Sequence, residues 1–274
     1  MGPQTQPRTK KIMTSLISHL HDFIRETELT TDELMESIEF LKWAVHMNDD
    51  NPYHIFAACS ILGIESLMDQ IAHAKVSKVA GAVTQRATMG PFFQKDHPFR
   101  EMGTSIHDTA TDGAETAFIY GKVLNAQTGQ PIANAVIDVW LASTNGLYEQ
   151  QDEGQAAHNL CGKFVTGEDG EYSFYAIRPT PYPVPSLGPA GKLLQMMDKP
   201  AFRPAHIHFL VLKEGYQPIT TQLYDAESKY LETDAVCAVH DSLVVKFAKR
   251  TGDPRAVLEV KYDIRMAPKD SNGA

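Results

Sequence analysis

The chain has 274 residues, 43% hydrophobic and 22% charged, with 25 Lys and Arg against 34 Asp and Glu for a formal charge of −9. At roughly 150 residues per domain this length holds one or two domains, and the composition builds a packed core and excludes a disordered chain. Neither half is basic, which argues against nucleic-acid or anionic-membrane partners, and three scattered cysteines (Cys59, Cys161, Cys237) exclude a disulfide framework or a thiolate metal site.

The polar start MGPQTQPRTK lacks a signal-peptide core, and no apolar run reaches the roughly 20 residues of a membrane span. Gln6 stands where myristoylation of Gly2 wants Ser or Thr, so the cytoplasm is the expected compartment.

Helices come first. Ile12, Leu16, Leu20 and Phe23 or Ile24 recur at steps of three or four. Thr30 and Glu33 offer a capping box ahead of Leu34, Ile38, Leu41 and Val45. Asn51-Pro52 reads as a helix start, with Ile55, Cys59 and Leu62 following. Gly63 interrupts, and a further helix runs through Leu67 and Ile71. Apolar stripes of this kind form a bundle core or a dimerisation face.

From 81 to 115 the text turns to Gly, Pro, Thr and His, with an aromatic loop, MGPFFQKDHPFREMG. Beyond it the period becomes two. Strands are predicted at 117–124, 135–141, 162–166, 171–177, 205–213, 218–224, 241–247 and 256–264, separated by turns such as NAQTGQP, TGEDG and KEGYQP. The expected class is α+β: a helical N-terminal region with its linker over 1–107, and an all-β sandwich or barrel over 108–274.

Chemistry concentrates in Arg203-Pro204-Ala205-His206-Ile207-His208-Phe209. On a strand His206 and His208 share one face, while Ile207, Phe209 and Val211 take the other. Two imidazoles side by side are half of a metal site, although alternating histidines also occur as plain structure. A cupin-type completion fails, because Glu214 sits before Gly215 where a turn is expected and no suitable later histidine follows. Tyrosines are the other donors: Tyr148 in TNGLYEQQD, and Tyr182 in RPTPYPVP, where prolines fix the backbone. A neutral phenol is a poor ligand, but a bound ferric ion can remove its proton.

Taken together these segments resemble the intradiol ring-cleaving catechol dioxygenases. The resemblance rests on GPFF (90–93), TGQPIANAVIDVW (128–140), NGLY, GKFVTGEDGEY (162–172), PYPVP, RPAHIHF and TTQLYDA. It covers residues 85–247 closely and the helical start more loosely. RPTPYPVPSLGPAG and TQLYDAESKYLETDAVCAVHDSLVVKF look like the hydroxyquinol (1,2,4-trihydroxybenzene) branch, with catechol as the alternative substrate.

The resemblance implies one Fe(III) per subunit, held by Tyr148, Tyr182, His206 and His208, and cleavage of an aromatic diol or triol by O2 to a ring-opened dicarboxylate. Tyr182 would also be a base for a diol proton. Arg203 would stabilise developing negative charge, although three residues from His206 on one extended strand it faces the opposite way unless Pro204 bends the chain. Gln222 would hold Arg203 or a pocket wall. Thr88, Gly90, Pro91, Phe92, Phe93, Val184 and Pro185 would line the pocket, and Asp69 would meet a third hydroxyl. The family also implies a homodimer through the N-terminal helices, with a lipid enclosed between them. A second class stays open: TGQPIANAVIDVW also looks like turns in transthyretin-like binding modules, which lack the Tyr and His set and would be colourless.

Overall fold

The computed structural model describes residues 2, 4–50, 53–107, 113–185 and 187–269. The chain divides into two units, Met1–Asn51 and Pro52–Ala274. The boundary expected after residue 107 abuts 108–112, and the helix start read at Asn51-Pro52 likewise lies outside the described residues.

The first unit holds α1 (Pro7–Thr27) and α2 (Thr31–Asp50). Pro7 sits at the first turn of α1, where a missing N–H costs nothing, and Glu28 ends the helix in the left-handed region at φ 50°. The stripe Ile12, Leu16, Leu20, Phe23 and Ile24 is 45–50% exposed along its length. The capping box ahead of α2 is formed: the Thr30 amide donates to Glu33 Oε2 at 2.8 Å, and the Glu33 amide donates to Thr30 Oγ1 at 3.3 Å.

The second unit opens with α3 (Tyr53–Ile61) and α4 (Ile64–Ala80). Gly63 parts them in the left-handed region, φ +71°, as its place in the sequence predicts. Two sheets follow. In the first, β1 (Thr116–Asn125) has β4 (Glu171–Ile177) antiparallel on one edge, and β11 (Leu258–Lys261) and β12 (Ile264–Met266) parallel to it, with β10 (Ala248–Lys249) beyond β11. In the second, the order is β3 (Cys161–Val165), β2 (Val136–Trp140), β7 (His206–Leu212), β8 (Ile219–Asp225), β9 (Val244–Val245). A ribbon of β5 (Tyr182–Pro183) and β6 (Phe202–Arg203) stands apart, with α5 (Pro189–Met196) between its strands in sequence.

Alternation builds the core. Ala117, Ile119 and Val123 of β1 meet Phe174 and Ala176 of β4, Ile137 and Val139 of β2, Ile207, Phe209 and Val211 of β7, and Leu223 of β8, all fully or nearly fully buried. Each large side chain of this kind stabilises by about 1.5–3 kcal/mol relative to exposure. The second sheet is buried on both faces, since β7 hides six of its seven residues. Its inner face makes the sandwich core, and its outer face is free to carry chemistry.

Three expectations about elements are corrected. The strand read over 256–264 is broken at Tyr262-Asp263 while keeping the same pairing on either side, Ala117 with Leu258 and Val123 with Ile264. At the break a Cβ on Gly121 would lie 1.8 Å from the Tyr262 carbonyl oxygen, so only glycine admits this close approach. The strand read over 241–247 is a 3-10 turn, Asp241–Leu243, followed by the two-residue β9. The sequence reading also missed α5, where Gly188 precedes Pro189 in the first turn and Leu194 is buried with Ile61, Val184 and Ala190.

Candidate functional site

The site grows from the outer face of the second sheet. Strand register places Trp140, His208 and Gln222 in one row across β2, β7 and β8, and His206 opposite Tyr224 in the next. His206 and His208 therefore project together, as the two-residue period requires. Tyr148 reaches them from the loop after β2, at the start of the 3-10 turn Glu149–Gln151, where its amide donates to Gln151 Oε1 at 3.1 Å. Tyr182 arrives from β5. Gly146, at φ +81°, lets the two loops meet: a Cβ there would stand 2.9 Å from Tyr182 Cβ.

Four donor atoms converge. Tyr182 Oη lies 3.2 Å from Tyr148 Oη, Tyr148 Oη 3.0 Å from His208 Nε2, and His208 Nε2 3.1 Å from His206 Nε2. Both phenols and both imidazoles are at most 5% exposed. His206 Nδ1–H donates to the Pro204 carbonyl at 2.6 Å, which leaves its Nε2 as a lone pair aimed at the cluster. Burial, reinforced by the Arg203 charge, pushes the His206 imidazole down to about 3. Burial and the neighbouring His206 and Arg203 also push His208 well below its ordinary value. Both rings are thus neutral, the form that binds metals. Burial and Tyr182 raise the Tyr148 phenol well above its ordinary value.

Arg203 stands beside this cluster, because the chain does bend at Pro204. The chain breaks at Pro204-Ala205, so Arg203 belongs to β6 and turns back to bring Nη1 within 3.1 Å of His206 Nε2. Its Nε donates to Asp234 Oδ1 at 3.2 Å, and its Nη2 to Gln222 Oε1 at 2.8 Å. Gln222 is fixed in turn, its Nε2 donating to the Thr88 carbonyl at 2.5 Å and Thr88 Oγ1 at 3.1 Å, while Tyr224 Oη donates to Gln222 Oε1 at 2.8 Å. The structure thus joins Gln222, Thr88 and Arg203 in one buried network. Burial works against the Arg203 charge, but Asp234 and the tyrosines outweigh it and hold the guanidinium well above its ordinary pKa.

The remaining candidates fall in three places. Phe92 stacks on Tyr148 at 4.5 Å, Phe93 packs on Trp140 at 5.0 Å, and Gly90, at φ +71°, would bring a Cβ to 3.5 Å from His208 Cε1. Pro91, between Gly90 and Phe92, is half-buried in the same loop. Val184 packs in the cluster of Ile61, Ala190 and Leu194, and Pro185 next to it is exposed. Asp69 on α4 is half-buried with Arg86 and His240 as neighbours. Glu65, one turn earlier, is hydrogen-bonded by Ser60 at 3.0 Å and feels the Arg203 charge.

Sequence reasoning missed Glu65, Asp234, Tyr224 and Trp140. The last two were within reach, because Tyr224 shares a strand face with Gln222, and Asp138 and Trp140 alternate on β2 in the same way. Asp234 gives no local signal.

The residues suit a hard ion. Neighbouring donors about 3 Å apart are spaced as ligands whose bonds to a common ion are about 2 Å. Among the described residues no group of three or more His, Cys, Asp or Glu is arranged for a metal, so two imidazoles with two phenols are the donor set on offer.

Residues 88–268 match the family model described as Dioxygenase, and residues 6–79 the one described as Catechol dioxygenase N terminus. An intradiol ring-cleavage dioxygenase of Aspergillus niger is 40% identical over 98% of this chain and 85% of its own. A catechol 1,2-dioxygenase of Candida albicans is 37% identical over 99% of this chain and 90% of its own. The crystal structure of a hydroxyquinol 1,2-dioxygenase from Pseudomonas putida DLL-E4 superposes with a TM-score of 0.89 at 34% identity, covering 97% of this chain and 94% of that one.

Proposed function

The chain belongs to the intradiol ring-cleavage dioxygenases, and from that premise we propose that it opens hydroxyquinol with O2 to 3-hydroxy-cis,cis-muconate, the tautomer of maleylacetate. The observation that carries this reading is the convergence of two neutral imidazoles and two phenols on one point, with a buried Arg203 alongside.

Tyr148, Tyr182, His206 and His208 would hold one ferric ion per subunit. Bound there, ferric iron would supply the Lewis acidity that lets the phenols and the diol ionise at neutral pH, and the ionised diol is the electron-rich form of the ring. Both oxygen atoms enter the product, so no external reductant is needed.

The chain's own residues do the rest. Tyr182, once ionised, is the base that takes a diol proton, and its oxygen is placed for this by β5 pairing to β6 at Arg203. Arg203 holds a permanent positive charge beside His206, where negative charge develops on the substrate oxygens. Asp234 and Gln222 fix that guanidinium, so it needs no reorganisation during reaction. Phe92, stacked on Tyr148, and Gly90, beside His208 Cε1, line the site from the loop before the first sheet.

The hydroxyquinol-cleaving structure at TM-score 0.89 supports the substrate assignment, with Glu65 and Asp69 as polar groups for the third hydroxyl. The Candida relative supports catechol as the second substrate. A homodimer through the exposed stripe of α1 completes the reading. Oxygen uptake and product spectra with hydroxyquinol and catechol side by side test it. Faster cleavage of hydroxyquinol by a red-brown, iron-loaded protein is expected; a colourless protein that binds no iron and cleaves neither overturns it.

A further inference from the structure

The two imidazoles of the site are held by different devices. His206 is oriented by its hydrogen bond to the Pro204 carbonyl. His208 has no such anchor: its Nδ1 is buried and has no hydrogen-bond partner among the described residues. A histidine that binds a metal ordinarily gives its second ring nitrogen to a carboxylate or carbonyl, which fixes the ring and raises its basicity. Something else must fix His208.

Trp140 lies directly opposite His208 in the β2–β7 pairing, and the two rings stack at 4.7 Å between centroids and only 6° from parallel. The indole contributes its face, since Trp140 Nε1 is also buried without a partner among the described residues. A buried N–H left unpaired costs about 1–3 kcal/mol, so the position keeps an indole in spite of its donor. Trp140 is itself braced. Phe93 packs on it at 5.0 Å and His97 at 6.0 Å, and Asp138, on the same face of β2, accepts from His97 Nδ1 at 2.6 Å. Gly90 also lies beside the imidazole, where an added Cβ would meet His208 Cε1 at 3.5 Å, an ordinary contact distance.

We propose that Trp140 is the positioning residue of His208, orienting by stacking a ring whose outer nitrogen has no hydrogen-bond partner among the described residues, with Phe93, His97 and Asp138 as its brace. The inference rests on His208 being an iron ligand.

The test compares Trp140→Phe, which keeps a flat ring over the imidazole, with Trp140→Leu, which stays apolar but removes it. The iron-loaded proteins are challenged with a chelator, their electron paramagnetic resonance spectra recorded, and the thermal midpoints of the iron-free forms measured. Trp140→Phe is expected to hold iron much as the parent does. Trp140→Leu is expected to hold it about 10- to 100-fold more weakly, the usual cost of losing a ligand's support, with an altered resonance spectrum. The iron-free midpoints of the two variants should lie close together, which a merely structural role would not give. Equal iron retention in both variants, or equal loss in both, overturns the proposal. His208→Ala separates the levels: if it binds iron as the parent does, the ligand assignment fails and this inference with it, whereas loss in His208→Ala without loss in Trp140→Leu removes only the role of Trp140.

Discussion

Arg203 and Asp234 form an ion pair in the interior, Nε to Oδ1 3.2 Å, with side chains 5% and 2% exposed. Two backbone amides, of Val236 and Ala238, also donate to the Asp234 carboxylate. Removing one partner strands the other charge in a dry environment, so Asp234→Ala and Arg203→Ala should each destabilise by about 3–5 kcal/mol. The double variant should be more stable than either single one, because no charge is left unpaired. Its kcat should nevertheless stay low, by about 100-fold or more, since the positive charge beside His206 is gone. Urea unfolding and steady-state kinetics on the three variants check both halves; a double variant with restored kcat would remove Arg203 from catalysis.

The same pair sets a pH dependence. Burial raises the Asp234 carboxyl, but the Arg203 charge, its hydrogen bond and the Ala238 amide outweigh burial and hold it below its ordinary value. As pH falls the unfolded chain therefore takes up this proton first. The stabilisation is complete above about pH 4 and is lost as pH falls through the folded-state value. In urea titrations of the iron-free protein, the stability gap between the parent and Asp234→Asn should narrow below about pH 4 and hold steady between pH 5 and 7.

Tyr148→Phe removes one oxygen from the donor set and leaves the ring on which Phe92 stacks. The prediction is a folded protein that retains iron poorly, at least about tenfold below the parent, with the visible charge-transfer band weakened. His206→Ala should lose iron to a similar degree. Iron content and absorption spectra of the purified variants decide the matter. Full iron and full turnover in either would take that residue out of the ligand set.

How much of this was legible in the sequence depends on whether the determinant was local. The shared face of His206 and His208 follows from the two-residue period alone. The side chain of Arg203 does not, because a strand running straight from 203 to 208 would send it away. Only the break at Pro204-Ala205, which makes β6 a separate strand, brings it back. Asp234 is 31 residues further on in an irregular segment, and its pairing is a tertiary fact. On α4, Glu65 and Asp69 are four residues apart and share a helix face, so spacing could not say which meets Arg203 and which meets Arg86. The break between β11 and β12 was illegible for another reason: the strand text continues through it, and the cause is the approach of Tyr262 to Gly121 on β1.

Two glycines turn that last point into a prediction. At Gly121 an added Cβ would sit 1.8 Å from a backbone oxygen, and also 3.2 Å from Tyr172 Cε1, deep in the first sheet. Backbone cannot yield there without breaking the Tyr262 amide's bond to the Tyr120 carbonyl, so Gly121→Ala should fail to fold or lose several kcal/mol (about 3 or more). At Gly146 the obstruction is Tyr182 Cβ at 2.9 Å with its Cα at 3.7 Å, on the β5 strand that carries the site tyrosine, and the backbone is left-handed. Gly146→Ala should therefore cost about 1–2 kcal/mol for the backbone and should push Tyr182 away from Tyr148. The two variants separate fold from site: Gly121→Ala lowers soluble yield and thermal midpoint, whereas Gly146→Ala remains folded but binds iron weakly and shifts the charge-transfer band. A Gly146→Ala protein with parental iron affinity and colour would show that the position of Tyr182 does not depend on this turn.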